Sequence, residues 1–365
     1  MRYPIASAGP IVVKVGSSSL TGVAGIDEVA IRRIVDQVSD AWESGRGVVL
    51  VTSGAVAAGL PALGLTTRPR DVAGLQVAAS VGQGRLMARY IQLFSERGIV
   101  AGQVLLTRAV FGDREQYLNA RQALERMIAR RIVPIVNEND TVGIEELRFG
   151  DNDRLAALVS HLTSGAVLVL LTDTDGLLTA DPRRSEDAAL VSAVRHTDEI
   201  LDRLAAGGAG PLGSGGIATK VAAARIAAWS GIPTVVTSAS DPTALRRVLD
   251  GEDIGTWVGP QDTRLPARKL WIAFGQPAEG SITIDDGAVR AIIAQGRSLL
   301  PVGVKQVDGE FGAGAAVEVK GPDAALVAKG VTRLGASELR RAAGLKTTEA
   351  GGLAIHRDDL VVLAG

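Results

Sequence analysis

From the first residues to about Val258 the chain repeats one pattern: a short apolar run rich in β-branched residues, a Gly-rich or polar turn, then a stretch with apolar residues at helical spacing. The alternation predicts an α/β fold with a mainly parallel sheet. Strands are expected at 11–15, 47–52, 132–136, 167–171 and 233–237, most of them nearly continuous apolar runs of the kind that suits strands covered on both faces. Between the first two, Asp27 is placed to cap a helix in which Ile31, Ile34, Val35, Val38 and Trp42 form one apolar stripe, and Gly45 is placed to end it.

At 259–269 the text becomes GPQDTRLPARK, polar and proline-containing, and reads as a linker. A different rhythm follows. Short alternating strands at 281–284, 303–306, 315–320 and 325–332, with two short helices at 286–295 and 337–342, predict a small, mainly β, barrel-like domain. The expected division is a large domain at 1–258, a linker at 259–274 and a small domain at 275–365.

Composition narrows what these domains can do. Hydrophobic residues make up 46% of the chain and aromatics only 3%, so the cores are aliphatic. Lys plus Arg (39) almost balance Asp plus Glu (40), a net charge of -1, so no global field draws the chain to nucleic acid or an anionic membrane. Cysteine is absent, which removes disulfides, thiolate nucleophiles and Cys-based metal sites. The opening MRYPIASAGP lacks the pattern of a signal peptide, and apolar runs such as 166–171 are too short to span a bilayer. A cytoplasmic protein with no membrane contact is expected.

Ligands of open α/β sheets bind beyond the carboxyl ends of the strands, and polar clusters stand at each predicted strand end. Lys14 precedes Gly16-Ser17-Ser18-Ser19, where a lysine and free amides suit a phosphate; a solvated lysine explains it equally well. The run is neither a GxxxxGK[ST] phosphate loop nor a GxGxxG fingerprint. Ser53 and Gly54 follow the second strand, either as a ligand-facing turn or as an ordinary helix cap. Asn137-Glu138-Asn139-Asp140 reads as a surface turn or as a carboxylate awaiting an ammonium. Asp151-Asn152-Asp153 carries more acid than capping requires. Thr172 and Asp173 close the fourth strand, where they suit a nucleotide's base or ribose, and Gly213-Ser214-Gly215-Gly216-Ile217-Ala218-Thr219-Lys220 opens a helix as a phosphate cradle or a surface loop. Together, two lysines, several acids and two Gly-rich turns at one sheet edge are the equipment of phosphoryl transfer. His161, His196 and His356 show no evident partners for acid–base work, and no metal-ligand spacing is visible. Mg²⁺ is expected to arrive with ATP, held by its phosphates.

The segments VVKVGSSSL, VTSGAVAAG, NENDTV, FGDND, LLTDTDGLLTADPR and GSGGIATK, in that order, resemble the successive signatures of the glutamate 5-kinase family, and the segment from about Ser281 through GRSLLPVGV to HRDDL resembles a PUA domain. The resemblance implies a three-layer α/β/α sandwich of the amino-acid-kinase type that uses ATP to phosphorylate the γ-carboxylate of L-glutamate, opening proline biosynthesis. It implies Lys14 and Lys220 on the ATP phosphates, Thr172 and Asp173 at the nucleotide, and Ser214, Gly215, Gly216, Ile217, Ala218 and Thr219 around its tail. Ser53, Asp140 and Asn152 fall on glutamate, with Asn137 in second place, and Asp153 orients the lysines. It implies also feedback by proline and a homo-oligomer. Ser214 and Ile217 stand where the family commonly has threonine and methionine, which keeps a hydroxyl and an apolar contact. Acetylglutamate kinase and aspartokinase usually show Gly-Gly after the first lysine, where this chain has Gly16-Ser17. A non-catalytic sensor would have no use for both lysines and Asp153. PUA domains often bind RNA, and Lys320, Lys329, Arg333, Arg340, Arg341 and Lys346 are basic; Glu310, Glu318, Asp323, Asp358 and Asp359 dilute them toward an ordinary solvated surface.

Overall fold

The structure is a computed structural model and describes residues 5, 8–22, 25–111, 113–142, 152–180, 185, 187–207, 216–261, 264–275, 278–346, 348, 350 and 352–363. The chain divides into two compact units, Met1–Val110 with Glu115–Arg264, and Phe111–Arg114 with Leu265–Gly365.

The first unit is built on eight strands: β1 (Ile11–Val15), β4 (Val48–Val51), β5 (Ala101–Leu106), β6 (Val133–Glu138), β7 (Val167–Thr172), β8 (Ala193–Arg195), β9 (Thr234–Ser238) and β10 (Thr256–Gly259), with a two-strand hairpin of β2 (Thr21–Gly22) and β3 (Gly25–Ile26) apart from the sheet. Their order is β5-β6-β4-β1-β7-β9-β10-β8, and every neighbouring pair runs parallel except β9 with β10. All five expected strands form. The sequence pattern missed β5, β8 and β10, of which β5 and β8 stand at the sheet's two edges and carry no continuous apolar run, so periodicity alone could not separate them from loop.

Side chains alternate across the sheet, and the alternation sorts the core. Ile11, Val13 and Val15 join one apolar cluster with Ile31, Ile34, Val35 and Val38 of α1 (Glu28–Glu43) and Leu86, Tyr90 and Phe94 of α3 (Val72–Glu96). Lys14 points the other way, to the face covered by α5 (Asn152–Leu162), which packs in turn on α7 (Ile217–Trp229). Helices thus cover both faces; α4 (Arg114–Ala129) and α6 (Glu199–Gly207) fall between these in the chain. Helix α1 starts as expected: the Asp27 carboxylate accepts from the Val29 and Ala30 amides at 2.9 and 3.0 Å, a cap contributing about 1 kcal/mol. Its chain turns at Gly45, where φ is +91°.

One helix crossing sets the position of the turn after β4. Helix α2 (Ala55–Gly59) lies so close on α3 that a Cβ on Gly82 would stand 1.8 Å from the Ala55 carbonyl oxygen, and one on Gly59 would stand 2.0 Å from that of Ala78. Only glycine at both positions admits this approach.

The second unit holds a five-stranded sheet of β11 (Gly280–Ile284), β12 (Val304–Asp308), β13 (Ala316–Lys320), β14 (Leu326–Val331) and β15 (Leu360–Val362), in the order β12-β11-β13-β14-β15, with a core that includes Ile282, Val317, Val319, Leu339 and Ile355. Two helices, Asp286–Gln295 and Ala336–Ala342, accompany it. Residues read from the sequence as the end of a linker are helical here: Ala267–Leu270 continues into a wide turn, Trp271–Gly275, and Ile272 and Ala273 are buried with Val361. Within this unit Lys320, Arg333 and Arg340 pair with Glu318, Asp359 and Glu310, and Lys329 is buried, its ammonium donating to the Ala273 carbonyl at 3.3 Å.

Candidate active site

Two networks meet at the start of α5. Asp153, 1% exposed, lies between two lysines: its Oδ1 is 2.5 Å from Lys14 Nζ on β1, and its Oδ2 is 3.7 Å from Lys220 Nζ on α7. Thr219 also donates to Oδ2, at 2.8 Å. Burial would raise the Asp153 carboxyl, but Lys14 and Lys220, with the bonds from Lys14 and Thr219, outweigh it and hold it at about 2. Among the described residues two cations face one anion here in a nearly dry place, an arrangement that suits a further anion such as a phosphate chain.

The residue before it, Asn152, enters a neutral network. Its amide nitrogen donates to the Thr52 carbonyl at 2.6 Å, to Asn137 Oδ1 at 2.8 Å and to Ser53 Oγ at 3.1 Å. Asn137 donates in turn to Gln83 Oε1 on α3 at 2.7 Å. Beneath them the Thr52 hydroxyl meets the Tyr90 hydroxyl at 2.9 Å, and burial pushes the Tyr90 phenol up. Both Asn152 and Asn137 are buried, and they fix each other's amide orientation.

A cleft opens above this network, with Ser17, Ser53, Arg68, Glu138, Asp140 and Asn152 among its lining and Ala55, Val56 and Ala57 of α2 along one wall. The chain turns into α2 at Gly54, whose φ of +100° a side chain would strain.

The structure therefore brings together Lys14, Asp153, Thr219 and Lys220, and beside them Ser53, Asn137 and Asn152 with Asp140 on the cleft wall. Thr172 is buried at the end of β7 and donates to Asp173 Oδ1 at 3.0 Å; among the described residues no hydrogen bond or ion pair joins these two to the lysines. Gly216, Ile217 and Ala218 open α7, whereas Ser214, Gly215 and Asp151 lie outside the described residues. His161 stands apart, on the last turn of α5: burial, then Arg264 and Arg121, push its imidazole down to about 4, so it is neutral at pH 7. Gln83, Arg68 and Ser17 escaped the sequence reading. Gln83 sits mid-helix and Arg68 in an exposed connection, with no motif around either; Ser17 was read only as part of a phosphate-facing run.

A parallel sheet with phosphate-ready lysines and an amino-acid-sized polar cleft at its carboxyl edge defines a small-molecule phosphotransferase of the α/β type. The profile of the amino acid kinase family matches residues 9–238, and that of the PUA domain matches residues 280–350. Over the full length the chain is 44% identical to the glutamate 5-kinase of Moorella thermoacetica (99% of this chain, 98% of the relative) and 46% identical to that of Rhodococcus jostii (99% of each). It is 42% identical to that of a Marinomonas strain, with 100% of each covered. The chain belongs to the amino acid kinase family and, within it, to the glutamate 5-kinases, with a PUA domain at its C-terminal end. Among the described residues no helix is long and apolar enough to cross a membrane, and no group of three His, Cys, Asp or Glu could hold a metal ion.

Proposed function

We propose that the site transfers the γ-phosphoryl group of ATP to the γ-carboxylate of L-glutamate, giving L-glutamyl 5-phosphate and ADP, the first step of proline biosynthesis. One observation carries this reading: the residue gripped by both lysines and the residue that reaches the polar cleft are neighbours in sequence, so donor and acceptor groups meet at one helix start. Lys14 and Lys220 hold the phosphates and offset the charge that spreads over the moving oxygens, while Asp153 keeps the two ammonium groups in place. Thr172, Asp173 and the residues from Ser214 to Thr219 hold the nucleotide. Mg²⁺, carried by ATP, neutralises phosphate charge when bound.

Asn152 spends its N–H groups on the protein, which leaves its oxygen to accept from the substrate's ammonium. Asp140 pairs with the same ammonium and Ser53 donates to a carboxylate. The γ-carboxylate is already ionised, so its oxygen attacks phosphorus directly: a new O–P bond forms, the bond to the β-phosphate oxygen breaks, and ADP leaves with the electron pair. No general base and no covalent enzyme intermediate are required. The resemblance alone supports three further parts of the reading: cytoplasmic action, proline feedback and a homo-oligomeric assembly. The domain limits 1–258, 259–274 and 275–365 belong to the same reading.

Coupled measurement of ADP release with L-glutamate and with its N-acetyl derivative tests it. Free glutamate wins by orders of magnitude in kcat/KM, since acetylation would leave a desolvated carboxylate unpaired. Asp140→Asn lowers activity on glutamate and narrows the preference; an unchanged ratio would assign the ammonium to another residue, and no ADP release at all would overturn the kinase reading.

A further inference from the structure

Among the described residues the cleft lining contains one cation, Arg68, and two acids, Glu138 and Asp140. A dicarboxylic amino acid brings two carboxylates and one ammonium into it. Phosphoryl transfer takes one carboxylate toward the lysines, and the acids suit the ammonium, so among the described lining residues Arg68 is the cationic side chain that complements the second carboxylate. We infer that Arg68 reads the α-carboxylate of the amino-acid substrate and sets its affinity, an inference that rests on the glutamate reading above.

The local chain holds Arg68 in place. It precedes Pro69, whose ring restricts the preceding residue to extended backbone. Pro69 packs on the first turn of α3, where a Cβ on Gly74 would stand 2.8 Å from the Pro69 Cβ, and Asp71 caps that turn by accepting from the Gly74 amide at 2.7 Å. At the other end the connection starts from α2, pinned to α3 at Gly59 and Gly82. The guanidinium is exposed and, among the described residues, makes no hydrogen bond or ion pair. By contrast Arg89 on α3 and Arg97 at its C-terminal cap are committed to carboxylates, at 2.5 and 2.9 Å. A planar fork with its donors unspent, at the mouth of a cleft, matches a carboxylate bidentately; a lysine would offer only a point charge.

The test is steady-state kinetics of wild type, Arg68→Ala and Arg68→Lys with L-glutamate and with its α-carboxamide analogue, which keeps the γ-carboxylate and the ammonium. Wild type prefers glutamate. Arg68→Ala raises the glutamate KM by about ten- to a hundredfold, the range for a lost charge-assisted hydrogen bond, with smaller changes in kcat and in the KM for ATP. It also brings the two substrates close to parity, a result that a merely structural role would not produce. Arg68→Lys falls between, and serves alone should the alanine variant melt early. An active wild type whose preference is the same in both variants overturns this inference alone. A wild type that releases no ADP with glutamate overturns the kinase reading and this inference with it.

Discussion

Asn152 and Asp153 are consecutive, both buried on the first turn of one helix, yet they serve opposite kinds of network. Asn152 joins an uncharged chain of amides and hydroxyls that runs through Asn137 to Gln83. Asp153 joins an ionic cluster with Lys14 and Lys220. Successive helical residues project about 100° apart, so a single turn presents one to the cleft and one to the strand end that carries Lys14. The contrast suits the two ligands: an amino acid with both signs of charge is read by geometry and hydrogen-bond direction, whereas a polyphosphate needs net positive charge where water is scarce.

The largest break in this contrast is Asp153→Asn, which keeps the shape and deletes the charge. The two ammonium groups then repel across an uncharged amide, and kcat falls by about a thousandfold with a smaller change in the KM for glutamate. Steady-state kinetics decides; a variant in which KM moves more than kcat would place Asp153 in the amino-acid half.

Acid provides a second break. The folded-state carboxyl of Asp153 sits at about 2, below its ordinary value of 3.8, so its contribution to stability is complete above pH 3.8 and is lost as pH falls toward 2. The contribution is about 2 kcal/mol at the conversion of 1.36 kcal/mol per pH unit. Urea unfolding at pH 5 and pH 2.5 shows the wild type losing more than Asp153→Asn by up to that amount; equal losses would mean that the pair does not stabilise the fold. The amide network has no such slope.

The smallest effect sharpens the neutral side. Gln83→Ala removes the acceptor that orients Asn137 without touching a charge, so the glutamate KM rises by about three- to tenfold and kcat changes little, as expected for one buried neutral hydrogen bond. Equal kinetics in wild type and variant would show that Asn137 is oriented by the Asn152 contact alone.

The apolar periodicity of the chain was enough to place β1, β4, β6, β7 and β9, because strands covered on both faces must be apolar nearly throughout. The same periodicity located α1 to its cap at Asp27, since capping is a local bond between residues two and three apart. Edge strands β5 and β8 carried no such signal. Lys14, Ser53, Asn137, Asp140, Asn152, Asp153 and Lys220 stood out as polar interruptions at the ends of apolar runs, and each such interruption in a buried strand or helix start asks for a reason.

What local order could not decide was which of these residues meet. Lys14 and Asp153 are 139 residues apart and Asp153 and Lys220 are 67 apart, and only the strand order that sets β1 beside β7, with α5 and α7 packed on one face, brings their charges within ion-pair distance. Gln83 and Arg68 illustrate the same point from outside any motif. Their importance arises from a helix crossing that two glycines permit, and a crossing is a property of two surfaces in contact, which no run of neighbouring residues contains.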